Sequence, residues 1–79
     1  MHINVKVFAT LRRYLPEERA KGVFDLEVPD SASLEDIVRL LGLPAGEVKV
    51  TFVNGRTEAL SYRLREDDEV GIFPPLAGG

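Results

Sequence analysis

Ser33-Leu34-Glu35-Asp36-Ile37-Val38-Arg39-Leu40-Leu41-Gly42-Leu43-Pro44 carries the strongest helix signal in the chain. Ser33 followed three residues later by Asp36 has the pattern of a capping box, and Glu35 and Asp36 put negative charge where a helix dipole favours it. Leu34, Ile37, Val38 and Leu41 recur at i, i+3, i+4 and i+7, so one stripe is apolar. Gly42 suits a left-handed cap, Leu43 can fold back on the last turn, and Pro44 forbids continuation. The spacing predicts a helix of about nine residues, too short to persist alone. Its stripe needs a sheet to cover.

Working outward, the flanking segments supply that sheet. Residues 2 to 8 alternate, with Ile3, Val5 and Val7 on one face and His2, Asn4, Lys6 and Phe8 on the other. Leu11, Tyr14 and Leu15 then fall at helical spacing, which predicts one or two turns before Pro16. Residues 23 to 28 alternate again, Phe24, Leu26 and Val28 against Val23, Asp25 and Glu27. A third strand is expected over 48 to 53, with Val48, Val50 and Phe52 facing inward. Asn54-Gly55 is the preferred two-residue hairpin turn, so 56 to 60 should return antiparallel. An acidic turn, Glu66-Asp67-Asp68-Glu69, leads into a last strand ending at Phe73.

Strand, strand, helix, strand, short strand, strand is the order of a two-layer α+β domain. The helix should lie on a face made by Ile3, Val5, Val7, Leu26, Val50, Val70 and Ile72, with the first and last strands as central neighbours. Phe8 and Phe73 have the opposite parity, which predicts an exposed aromatic pair on the other face. Such a pair suits a partner interface.

Beyond Phe73 the chain reads Pro74-Pro75-Leu76-Ala77-Gly78-Gly79. Consecutive prolines end a strand and cannot enter a helix. The sequence therefore divides into a domain over 1–73 and a flexible tail over 74–79, with a reach of roughly 20 Å. Glycine is common enough that a terminal Gly-Gly arises in roughly one chain in two hundred. A frayed or trimmed end stays open, but the two prolines just before the pair weaken it. The other reading is an arm whose functional atom is the carboxyl carbon of Gly79, presented without side chains to a narrow site on another protein.

The composition bounds the alternatives. Seventy-nine residues make one small domain, and with no cysteine there is neither a disulfide nor a thiolate to help it fold. A net charge of −3 disfavours nucleic acid as the main partner. No apolar run is long enough to span a bilayer, so no membrane partner is expected and a cytoplasmic location is the default. The only histidine, His2, reads as a solvated side chain at a mobile end. Ser31, Ser33 and Ser61 have no histidine to activate them. Four consecutive acids cannot converge on one ion, so residues 66 to 69 read as a solvated turn and no metal site is expected. The parts of a self-sufficient enzyme are missing, and no cofactor site is read.

Phe8-Ala9-Thr10-Leu11-Arg12 after the first strand, Val53-Asn54-Gly55, Asp68-Glu69-Val70 and the ending Phe73 to Gly79 resemble the MoaD/ThiS family of ubiquitin-like sulfur carriers. The likeness runs over the whole chain and is nearest to the molybdopterin synthase small-subunit branch. Glu66-Asp67-Asp68 departs from it, since the family more often has a glycine between the acids. The resemblance implies a β-grasp fold with a mixed sheet of four to five strands and one main helix. It further implies that an E1-like adenylating enzyme uses ATP to activate Gly79, and that a sulfur donor then makes the thiocarboxylate. The tail, Pro74 to Gly78, would carry it into the molybdopterin synthase large subunit, with Phe8 and Phe73 at partner contacts. Sulfur delivery to another pathway, attachment to target lysines as a protein modifier, and a non-covalent binding module remain open on the same residues.

Overall fold

A computed structural model describes residues 1–75. Leu76, Ala77, Gly78 and Gly79 lie outside the described residues. The strands are β1 His2–Val7, β2 Val23–Glu27, β3 Val50–Val53, β4 Arg56–Thr57 and β5 Glu69–Phe73, and the one α-helix, α1, is Leu34–Leu40. Three 3-10 segments, Ala9–Tyr14, Glu17–Arg19 and Ala45–Glu47, occupy connections. The sheet order is β2-β1-β5-β3-β4, with β1 and β5 parallel and every other neighbouring pair antiparallel. The mixed sheet and single helix are those of a β-grasp domain.

The helix forms for the reasons its sequence states. Ser33 Oγ accepts from the Asp36 N–H at 3.2 Å, and Asp36 Oδ2 accepts from the Ser33 N–H at 2.9 Å. That exchange, Ser33's backbone N–H first, holds the Asp36 carboxyl below its ordinary pKa. At the other end the Gly42 N–H reaches Arg39 O and the Leu43 N–H reaches Val38 O, each at 3.0 Å, with Gly42 at φ +70°. These two bonds are the Schellman pair, and Leu43 is buried over the last turn. Leu34, Ile37 and Val38 pack with Ile3, Val5, Val7, Leu26, Val70 and Ile72 into one core.

The expectations for β3 and for the return strand need correction. Val50 and Phe52 do not face the helix; Thr51 and Val53 do, at 6% and 2% exposure. The register with β5 decides this, because Thr51 lies opposite Ile72 and Val53 opposite Val70. The Thr51 hydroxyl donates to Glu58 O at 2.6 Å, so its burial leaves no unsatisfied group. The return strand also stops at Thr57 rather than running to residue 60. Its continuation is needed elsewhere: Tyr62 O and Leu60 O accept from the Leu34 and Glu35 N–H groups at the start of α1.

The acidic turn is not wholly solvated either. Asp68 is buried and accepts from Asn54 Nδ2 at 2.9 Å and from the Arg65 N–H at 2.8 Å. Asn54 Oδ1 in turn accepts from the Glu69 N–H at 2.9 Å, so the hairpin turn is sewn to the start of β5. Asn54 and Gly55 have φ of +52° and +82°, the signs a type I′ turn requires. Asp67 has φ +67°, which gives a backbone reason for the glycine found there in the resembling family.

Gly22 has the strictest requirement of the described glycines. Its φ is +79°, and a Cβ there would stand 2.5 Å from the Val7 carbonyl oxygen, main chain whose own N–H donates back to Gly22 O at 2.7 Å. Gly42, at φ +70°, opens onto free space. Gly42→Ala is therefore expected to lower stability by about 1–2 kcal/mol from backbone conformation alone, and Gly22→Ala by clearly more. Urea unfolding of the two variants checks the order; equal losses would show that the Val7 contact is not a constraint.

Candidate docking face and tail exit

Because β1 and β5 run parallel at the centre of the sheet, both end at the same edge of the molecule, with Val7 opposite Ile72. The next residues, Phe8 and Phe73, come out side by side on the face away from α1. Their rings stack with centroids 4.0 Å apart and planes 6° from parallel. Phe52 meets Phe73 edge-on at 5.4 Å and 72°. Phe52 is the member that the sequence placed on the wrong face. Its one available signal was Gly71, which lies directly opposite it in β5 and would otherwise leave bare backbone.

Gly71 forms the floor of a hollow of about 310 Å³ whose walls are Phe8, Phe52 and Phe73 and whose rim carries Lys6 and Glu69. A Cβ on Gly71 would lie 3.5 Å from the Phe73 ring and 3.6 Å from the Phe8 ring, in ordinary contact. An added methyl would thus touch both rings without displacing them. All three phenylalanines stay partly exposed. Aromatic rings left in this state, around a glycine and beside one cation, make a surface that another protein's apolar side chain can fill.

The register also orders charge along this face. Beside the aromatic row lie Lys6, Gly71 and Phe52; beyond it come Asn4 paired with Asp25 and with Glu69, then His2 paired with Glu27. The face passes from apolar at the Phe8–Phe73 end to acidic at the His2 end.

The predicted tail begins inside the packed body. Pro74 is buried and Pro75 is exposed, while Leu76, Ala77, Gly78 and Gly79 fall outside the described residues. β5 is held up to its last residue, with the Phe8 N–H donating to Ile72 O at 3.0 Å and the Lys49 N–H to Phe73 O at 2.8 Å. On the two sides of that exit, the 3-10 segments are tied together. The Tyr14 hydroxyl donates to Glu47, Arg13 reaches Glu47 Oε1 at 3.1 Å, and the Arg13 guanidinium lies 5.0 Å from the Tyr14 ring centroid. Among the described residues no helix is long and apolar enough to cross a membrane.

A family model described as Mut7-C ubiquitin matches residues 1–77. The chain belongs to that ubiquitin-like family. Among solved structures, it resembles SAMP1 from Haloferax volcanii with a TM-score of 0.74, 22% identity and full coverage of both chains. A Pyrococcus furiosus protein designated molybdopterin converting factor, subunit 1, gives a TM-score of 0.72 at 23% identity, over 96% of this chain and 99% of the other. The Haloferax volcanii HVO 2177 protein gives 0.76 at 28%, over 100% and 87%. A search of the curated proteins returns no match. The ubiquitin-like β-grasp fold expected from the sequence is the fold of this domain.

If the aromatic pair is coupled as its geometry indicates, Phe8→Ala and Phe73→Ala will not be additive. A double-mutant cycle read by urea unfolding should give a coupling of about 0.5–1.5 kcal/mol. Strict additivity would mean that the rings are adjacent without interacting.

Proposed function

We propose that this domain is a sulfur carrier whose C-terminal Gly79 is converted to a thiocarboxylate for molybdopterin synthesis. The observation that carries the reading is a conjunction. A Gly78-Gly79 ending follows, within a few residues, an exit from the centre of the sheet that is flanked by the Phe8–Phe73–Phe52 surface. Among solved structures of the same fold, one bears the name molybdopterin converting factor, subunit 1, and another the name small archaeal modifier protein 1, names that accord with this reading and with its near alternative.

The chemistry asks little of the domain itself. A Gly79 carboxylate oxygen attacks the α-phosphorus of ATP on an E1-like enzyme, and pyrophosphate leaves. The resulting mixed anhydride is an electrophile, which the free carboxylate is not. Sulfide-level sulfur from the donor then attacks the acyl carbon and AMP leaves, giving the thiocarboxylate. In the large subunit of molybdopterin synthase that sulfur would form a bond to a carbon of the pterin precursor as a carbon–oxygen bond there breaks and its oxygen leaves, and water would then hydrolyse the acyl–sulfur bond, returning the Gly79 carboxylate and leaving the sulfur on the pterin. The nucleotide site and the acid–base groups belong to the partners. The domain contributes the aromatic surface that docks and the narrow arm, Pro74 to Gly78, that reaches.

Intact-mass measurement of the chain from its native cell tests this. The expected result is the oxygen-to-sulfur increment, placed on Gly79 by fragmentation, with loss of cofactor synthesis when Gly79 is deleted. A chain that continues past Gly79 in the cell has no carboxylate there and overturns the proposal, as does full function without Gly79. Recovery of the chain as an adduct on lysines of other proteins would assign it as a modifier instead.

A further inference from the structure

The acidic end of the open face holds an arrangement that the carrier reading does not use. His2 is the first residue of β1, not a loose terminus, and its imidazole is held from both sides. Nε2 lies 3.3 Å from Asp25 Oδ1 on β2, and Nδ1 lies 3.2 Å from Asp67 Oδ1 in the turn before β5. The backbone locks the turn to the strand. The Asp67 N–H donates to His2 O at 2.7 Å, and the His2 N–H donates to Glu66 Oε2 at 3.1 Å. One ligand atom from each of His2, Glu66 and Asp67 lies within 4.8 Å of the others.

One of these distances is that of two ligands on a single ion. Two ligands on a tetrahedral ion with bonds of about 2.0–2.1 Å stand roughly 3.3 Å apart, which is the Nδ1 to Asp67 separation. The contact at the other ring nitrogen points the same way and is independent of it. A metal-bound imidazole characteristically donates its second N–H to a carboxylate, which fixes the tautomer and leaves the first nitrogen's lone pair for the ion. Asp25 stands in that position, on a different strand from the other carboxylates. With Nε2 so committed, a neutral His2 would point the Nδ1 lone pair at the Asp67 carboxylate, a repulsive contact unless a cation intervenes. A proton can be that cation: the hydrogen bond to Asp67, with the charge of Asp25 adding, raises the His2 pKa above its ordinary value.

We propose that His2 Nδ1 and the carboxylates of Glu66 and Asp67 bind a divalent transition-metal ion of the zinc class, with Asp25 orienting the imidazole from behind. One nitrogen and two oxygens suit such an ion better than magnesium, which avoids imidazole. The ligands come from the start of β1 and the turn that feeds β5, so the ion would fasten the two central strands to each other at the end opposite the aromatic surface. This site stands whether or not Gly79 carries sulfur.

The test is titration of the untagged full chain with zinc chloride at neutral pH, followed by calorimetry and by the imidazole nitrogen shifts of His2. One ion per chain is expected, with the Nδ1 resonance moving and the thermal midpoint rising. Asp67→Asn and Asp25→Asn should each weaken binding about tenfold or more, His2→Gln should abolish it, and magnesium chloride should have no effect. Thermal midpoints without zinc show that each variant is folded. No binding at millimolar zinc overturns the proposal, and so does an affinity unchanged in Asp67→Asn and His2→Gln, which would place the ion on other surface carboxylates.

Discussion

The parallel pairing of β1 with β5 is the contact on which the rest of the molecule depends. It joins residues 4 to 7 with residues 69 to 72, nearly the full length of the sequence apart, so it is set by the whole chain and not by any local turn. A parallel pair cannot be closed by a hairpin and needs a crossover, which here is everything between β1 and β5, α1 included. The helix within it covers one face of the sheet and leaves the other open. The pairing also brings both central strands to a common end, and Phe8, Phe73 and the Pro74 exit are neighbours for that reason alone.

Much of this was legible because it is written in short-range patterns. The capping box at Ser33 and Asp36, the Gly42 stop, the Asn54-Gly55 turn and the alternation of Ile3, Val5 and Val7 each specify their own conformation locally. Parity within β1 and β5 then put Phe8 and Phe73 on the open face without any knowledge of their contacts. What failed was β3, where Val50, Thr51, Phe52 and Val53 all favour strand and two of the three apolar residues have one parity. Hydrophobicity chose Val50 and Phe52 as the buried pair. The choice went the other way because Thr51 can hide its hydroxyl on Glu58 O, and because Phe52 is needed over Gly71.

Residues 58 to 60 and Asp68 were misread for a different reason. Their roles are set by partners distant in sequence: Leu60 and Tyr62 supply acceptors to α1, Asp68 receives Asn54, and Asp67 meets His2. Nothing in the local run of acids distinguishes the buried Asp68 from its three exposed neighbours. The turn has two functions, a buried carboxylate that fixes the Asn54 hairpin to β5 and exposed carboxylates that face β1.

The two ends of the open face are therefore mechanically linked though chemically unlike. His2 and Phe8 stand six positions apart along β1, a span of about 20 Å at strand spacing, and β5 runs beside it in the same direction. Whatever steadies the turn before β5 acts on the origin of the strand whose far end leads to Pro74. The proposed carrier function calls for a body whose exit does not move, because a loose exit would spread the positions available to the reactive carbon. The Arg13–Tyr14–Glu47 tie meets that need at the near end, bracketing the last residue of β5 between the segments that flank it. At the far end the hydrogen bonds between His2 and the 66–67 turn hold the origin of β5 to β1, and the proposed ion would add to that tie.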